Sequence, residues 1–331
     1  MTSKVRYGII GFGRFADKTI APAIRQSPNS ELVAIQNRSL AKAQSGAAEH
    51  GAPFAFDTAA DIVAHPNVDA VFIVSPNSCH CQETILAAEA GKHVLCEKPM
   101  ALNVTECERM ITACAKNNVK LSVGQMVRLS PLVERMKHLV RSGFVGRIIR
   151  VEANFVYDAR LSTRRWVLDR KIAGGGPIFD IAVHCLDTLR YVLDDEVVSV
   201  QGELTPIPTP DQTEASAQLL LRFSQGTIGS IFCSYDSAVR ESFIQVMGTE
   251  ARISAVDFTL SDRTTLLKLE KKNESHQIDS SVENIIVPNL YVQEVTMFSE
   301  NILSNTNPVL SAENALANQR VLDKAMMLHS T

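Results

Sequence analysis

The chain has 331 residues, enough for about two domains, and its 45% hydrophobic and 21% charged residues exclude a disordered chain. Thirty-three basic against thirty-six acidic residues give a formal net charge of -3, which excludes the electrostatic footprint of a nucleic-acid binder and leaves a small molecule as the expected partner. No apolar run approaches the ~20 residues that span a bilayer, so neither a membrane partner nor a signal peptide is expected; seven cysteines without C-x-x-C spacing fit the reduced thiols of a cytoplasmic protein.

Val5 to Ile10 is a short apolar run that predicts a strand, and Gly11-Phe12-Gly13-Arg14-Phe15-Ala16 leads from it into a helical pattern through Ile20, Ala23 and Ile24. Strand, glycine turn and helix in this order make a G-x-G-x-x-(G/A) fingerprint. The glycines permit a tight bend and the close approach of a pyrophosphate, Ala16 lets helix pack on strand, and the amides from Gly11 to Phe15 hold the phosphates. Further strands are expected at Glu31 to Gln36, Asp69 to Val74, Lys92 to Cys96 and Lys120 to Val123, with helices at Ser39 to His50, Asn77 to Ala90 and Asn103 to Asn117. This alternation predicts a doubly wound parallel sheet, a Rossmann unit, with a dinucleotide at its carboxyl edge.

Three loops leave that edge. After the second strand stands Asn37-Arg38-Ser39, where an NAD enzyme places an acid for the ribose; an arginine beside small polar groups favours the 2′-phosphate of NADP(H) over NAD(H). Ser75-Pro76-Asn77 is expected along the nicotinamide ribose, with His80 one helical turn further on. Glu97-Lys98-Pro99 points Lys98 toward the crevice, its backbone restrained by the proline. Cys79-His80-Cys81 lacks a second ligand pair at site spacing, so no metal is expected.

At Gly124 the pattern changes, which sets the expected domains at residues 1–123 and 124–331, with a return of the C-terminal helix to the first domain left open. Helix Pro131 to Ser142 and strand Arg147 to Tyr157 precede alternating runs at Val197 to Leu204, Ala215 to Phe223, Thr227 to Tyr235, Glu241 to Met247, Ile253 to Val256 and Leu266 to Leu269. They predict an α+β domain with a large, mostly antiparallel sheet, open on one face. A partner subunit is the economical cover, hence a homodimer or homotetramer. Helices at Pro288 to Ser304 and Ser311 to His329 close the chain.

Between the two parts of this domain runs Gly174-Gly175-Gly176-Pro177-Ile178-Phe179-Asp180-Ile181-Ala182-Val183-His184. Proline suits the first helical position, and Asp180 and His184, four apart, leave one face of an α-helix together. The three glycines clear the approach for backbone or a flat ligand.

With these motifs in place, the sequence resembles the glucose-fructose oxidoreductase and inositol dehydrogenase family (Gfo/Idh/MocA) over nearly its whole length. The resemblance implies that Lys98 is the catalytic lysine, that Asp180 and His184 are the acid and histidine of the active-site helix, and that hydride passes between a nicotinamide and a sugar or polyol carbon. Arg38-Ser39, the run Ala173 to Gly176 and the continuation to Asp187 look most like the NADP-dependent sugar-reducing members. Two features depart from the family pattern. Trp-Arg before the triple glycine is replaced by Arg164-Arg165-Trp166-Val167, which leaves Arg165 and Trp166 as candidate cofactor contacts, and Gln125-Met126 replaces an Asn or His after Gly124.

Taking hydride from an alcohol carbon requires that the hydroxyl proton leave as well, a task suited to His184, with Lys98 bonding the same oxygen and Asp180 orienting the imidazole or substrate hydroxyls. A cofactor-sensing regulator of the same fold is the alternative reading; the presence of all three groups favours an enzyme.

Overall fold

The structure, a computed structural model, describes residues 4–159, 162 and 164–328. Two compact units divide the chain. Residues up to Met126 together with Tyr291–Gln319 form the first; Val127–Leu290 and the residues from Arg320 form the second. This division differs from the expected 1–123 and 124–331 chiefly in giving 291–319 to the first unit. The reason is packing: Val295 and Phe298 of the helix Leu290–Leu303 share a buried core with Tyr7, Ile9 and Phe72, and the Tyr7 hydroxyl meets Ser299 Oγ at 2.9 Å.

In the first unit, strands β1 (Val5–Ile10), β2 (Ser30–Gln36), β3 (Phe54–Phe56), β4 (Ala70–Ile73), β5 (His93–Cys96) and β6 (Leu121–Val123) form one parallel sheet in the order β3-β2-β1-β4-β5-β6. β4 is buried along its whole length, which is why it reads as a continuous Ala-Val-Phe-Ile run. Strand order reverses between β1 and β4, and this switch point opens a crevice at the carboxyl ends. β3 and the helix Ala59–Ala64 were not expected: the strand has three half-buried residues at the sheet edge, too few for a periodic signal, and the helix is announced only by Thr58, whose side chain accepts the Asp61 N–H.

The second unit carries eight strands, β7 (Ile148–Asp158), β8 (Val197–Thr205), β9 (Ser216–Phe223), β10 (Ile228–Ser234), β11 (Asp236–Gly248), β12 (Ala251–Val256), β13 (Arg263–Lys272) and β14 (Ile278–Val287), in the order β14-β13-β12-β11-β7-β10-β9-β8. All pairings are antiparallel except β7 with β10. β14 is exposed along most of its length, so it lacks the alternation that betrayed its neighbours. One face buries Val151, Ala153, Leu219, Leu221, Ile231, Ile244, Val246 and Ile253. Through the pairing register the opposite face carries exposed Leu220, Ile228, Phe232, Val256, Leu266 and Val282. The final helix is Ala312–Met326; its expected end at His329 lies outside the described residues. No helix among the described residues is long and apolar enough to cross a membrane.

Candidate active site

In the first unit the glycine turn has the geometry a dinucleotide requires. Gly11 sits at φ +85°, and a Cβ there would lie 2.6 Å from the Ser75 backbone, so β1 and β4 can approach only with glycine. Around Gly13 the nearest atom to an added Cβ is 4.0 Å away, and Gly13 and Arg14 are exposed, which leaves room for a pyrophosphate over the helix start. The helix then widens into a π-turn at Ala16–Ile20, with the Ala21 N–H bonded back to Ala16, one turn before Pro22, which lacks an N–H.

Not every residue of the turn points outward. Phe12, expected among the phosphate-binding positions, donates its N–H to the Gln36 carbonyl at 2.9 Å and buries its ring against Gly46 and His50. Asn37 shapes its loop from within, donating to the Phe12 carbonyl at 2.5 Å and accepting the Ser39 N–H at 2.9 Å, while Arg38 and Ser39 stay exposed. The Phe15 ring lies edge-on to Tyr291, centroids 5.6 Å apart.

His80 was expected beside the cofactor. Instead it is 1% exposed, with Nδ1 3.0 Å from the Pro99 carbonyl and Nε2 2.9 Å from the Ser75 carbonyl, so the imidazole ties the two loops together from behind. Burial lowers its pKa. Ser75 is likewise buried and donates its hydroxyl to Glu83 at 2.5 Å; burial pushes the Glu83 carboxyl up to about 7. Asn77 is buried at the head of the helix Asn77–Glu89, behind Pro76. Lys98 follows β5 half-buried, its N–H donated to Glu97 Oε2 at 3.1 Å, and the Lys98–Pro99 peptide is cis.

In the second unit the helix after the triple glycine opens as a π-turn, Ile178–Ala182, before continuing as the α-helix Val183–Leu193. Asp180 is buried, whereas His184 is half-buried with its ring 6.3 Å from that of Phe155 on β7. The Asp180 carboxylate accepts from Arg164 Nη1 and Nη2 at 3.2 and 3.0 Å, from the Tyr157 hydroxyl at 2.9 Å and from the Tyr235 hydroxyl at 3.2 Å. Asp180 in turn holds the Arg164 guanidinium above its ordinary pKa, while burial, followed by the Asp180 charge, raises both tyrosines.

The glycines serve packing more than ligand access. A Cβ at Gly176 would lie 2.2 Å from the Glu214 carbonyl oxygen, and one at Gly175 would lie 2.7 Å from the Phe179 ring. Glu214 Oε1 accepts the Ile178 N–H at 3.1 Å, so a wholly buried carboxyl caps the helix start from a distant part of the chain. Its pKa is raised by burial despite the amides of Ile178 and Gly176. Arg165 is exposed and Trp166 half-buried in the short 3-10 turn Arg165–Leu168, and it is Arg164 that reaches Asp180. Arg164, Tyr157, Tyr235 and Glu214 were not among the expected site residues; only the basic run at 164–165 gave any signal.

A family model for the oxidoreductase family with an NAD-binding Rossmann fold (GFO/IDH/MocA) matches residues 5–125, and one for the GFO/IDH/MocA C-terminal domain matches residues 133–254. The chain belongs to the GFO/IDH/MocA oxidoreductases. It is 30% identical over 249 residues to 1,5-anhydro-D-fructose reductase of Ensifer adhaerens, covering 75% of this chain and 74% of that protein. It is 27% identical over 324 residues to an NADP(+) D-xylose 1-dehydrogenase of Haloarcula marismortui, covering 94% and 87%. Among solved structures, the aldose-aldose oxidoreductase of Caulobacter crescentus in complex with glycerol superimposes with a TM-score of 0.86 at 28% identity, covering 97% of this chain and 96% of the other. A levoglucosan dehydrogenase in complex with NADH shares the fold, with a TM-score of 0.87, 22% identity, and 98% and 97% covered. This GFO/IDH/MocA member is thus an NAD(P)-dependent oxidoreductase.

Proposed function

We propose that the protein moves hydride between NADP(H) and a hydroxyl-bearing or carbonyl carbon of a sugar, keto sugar or polyol. The observation that carries this reading is the helix Ile178–Leu193, which fixes Asp180 through three donors and leaves His184 half-buried, in a chain that also places Lys98 at the carboxyl edge of its Rossmann sheet. Similarity to a sugar reductase and to a sugar dehydrogenase supports the substrate class.

The nicotinamide, when bound, supplies or accepts the hydride. Gly11, Gly13 and the following amides hold its pyrophosphate, and Arg38 with Ser39 reads the 2′-phosphate. Lys98 hydrogen-bonds the reacting oxygen and stabilises negative charge as it develops there. His184 takes the hydroxyl proton during oxidation and returns it during reduction. Asp180 keeps Arg164, Tyr157 and Tyr235 in place and orients the His184 imidazole or the substrate hydroxyls.

The test is a screen of sugars, polyols and keto sugars with each nicotinamide cofactor, followed by cofactor absorbance. Turnover of at least one of them with NADP(H) is expected. Tight NADP(H) binding without hydride exchange to any of them would instead favour the sensing role.

A further inference from the structure

The helix that carries Asp180 and His184 begins without a cap of its own. Gly174, Gly175 and Gly176 have no side chains, and Pro177 at the N-cap offers none that accepts a hydrogen bond. Of the first three amides of the helix, those of Phe179 and Asp180 donate back to the Gly176 carbonyl, at 3.1 and 3.0 Å. The Ile178 N–H remains, on a residue shielded from water, where an unpaired amide is costly. Glu214, immediately before β9, supplies the acceptor: its Oε1 takes that N–H at 3.1 Å.

The same segment reaches the site at a second point. The Ala215 carbonyl accepts the Tyr235 N–H at 2.8 Å, and the Tyr235 hydroxyl donates to Asp180 Oδ2 at 3.2 Å. The bonds therefore close a ring, from Glu214 through Ile178 to Asp180, across to Tyr235 and back to Ala215. Such a ring restrains Asp180 through its main chain and its carboxylate together, which a cap alone does not. Glu214 Oε2, meanwhile, is buried with no hydrogen-bond partner among the described residues. An orphaned buried oxygen costs stability, and groups kept at such a cost gather where placement matters to function.

We propose that Glu214 is a positioning residue of the reaction: by accepting the Ile178 N–H it sets the start of the helix, and with it the placement of Asp180 and His184 toward the substrate. Its effect on turnover rests on the chemistry proposed above for His184; the setting of the helix start does not.

Two substitutions isolate the acceptor. Glu214→Gln keeps an oxygen where Oε1 stands, whereas Glu214→Met fills similar space without one and also removes the buried carboxyl, so it need not lose stability. With saturating NADP(H) and a sugar substrate turned over by wild type, Glu214→Met should lower kcat about tenfold to a hundredfold, the cost of misplacing reacting groups by about 1 Å. The NADP(H) dissociation constant should stay near wild type, and Glu214→Gln should keep kcat within about threefold of it, since the hydrogen bond is retained. A residue that served folding alone would change the thermal melt and leave kcat per folded molecule untouched. Unchanged kcat in folded Glu214→Met, or a loss in Glu214→Gln as large as in Glu214→Met, overturns the proposal.

Amide hydrogen exchange gives a measurement independent of turnover. The Ile178 N–H should exchange as slowly in wild type and Glu214→Gln as the amides of β9, and at least about tenfold faster in Glu214→Met. Fast exchange at Ile178 in wild type overturns the proposal whether or not Glu214→Met folds. Failure of every sugar to react would count against the proposed function, while slow exchange lost only in Glu214→Met would leave the setting of the helix start by Glu214 standing.

Discussion

His184 and Lys98 bear the proposed chemistry directly, so their removal separates turnover from binding. His184→Ala should lower kcat by about a hundredfold to ten-thousandfold while the NADP(H) dissociation constant stays near wild type, and Lys98→Ala should do likewise. Wild-type turnover of a verified substrate by either variant would remove that residue from the mechanism. Arg38 is exposed beside Ser39 at the end of the second strand's loop. Arg38→Ala should weaken NADP(H) about tenfold to a hundredfold and leave NAD(H) unchanged, the loss expected for one charge-assisted contact to phosphate; equal effects on both cofactors in calorimetry would refute the preference. Lys98, Asp180 and His184 are candidates that the sequence offers because each stands in a local motif. The partners of Asp180 are not, since Arg164, Tyr157 and Tyr235 lie 16, 23 and 55 residues away and only the folded sheet brings them together.

The turn into the active-site helix shows the same limit one level up. Three consecutive glycines announce a close approach, but the sequence cannot say what approaches. The neighbour is the Glu214 backbone and carboxyl, 36 residues from Ile178. Gly176→Ala would set a methyl group 2.2 Å from the Glu214 carbonyl oxygen, a distance no Cβ tolerates, so either the strand lead-in or the helix start must shift. Destabilisation of about 1–3 kcal/mol is expected, together with a fall in kcat, because the same shift moves Asp180 and His184. Thermal melts and kinetics of the variant check both; a variant with wild-type stability would show that the turn has slack. The π-turns were likewise invisible to pattern reading, since the apolar spacing of one widened turn differs too little from that of an α-helix.

For the whole molecule, strand count and layer order were largely readable, because the parallel strands are buried on both faces and most antiparallel ones alternate. Pairing was less so: the apolar stripe with Val295 and Phe298 does not reveal which core it fills, and it fills the first. The remaining expectation concerns the open face of the eight-stranded sheet. Leu220 and Phe232 are 47% and 40% exposed, and Leu266 and Val282 are 55% and 53% exposed on the same face. Arg150, Glu152 and Gln245 lie among them by register, so the face mixes apolar and polar groups over many strands, the composition of a subunit interface more than of a solvated surface. The expected outcome is a dimer, or a dimer of dimers, at micromolar concentration by sedimentation. Charge placed at two apolar points of the face, as in Phe232→Glu with Leu266→Lys, should shift the equilibrium toward monomer, because a buried unpaired charge costs several kcal/mol and a stable interface of about 1,600 Å² depends on a few well-packed side chains. A wild-type monomer at that concentration, or a double variant that sediments unchanged, would mean that solvent covers this sheet face.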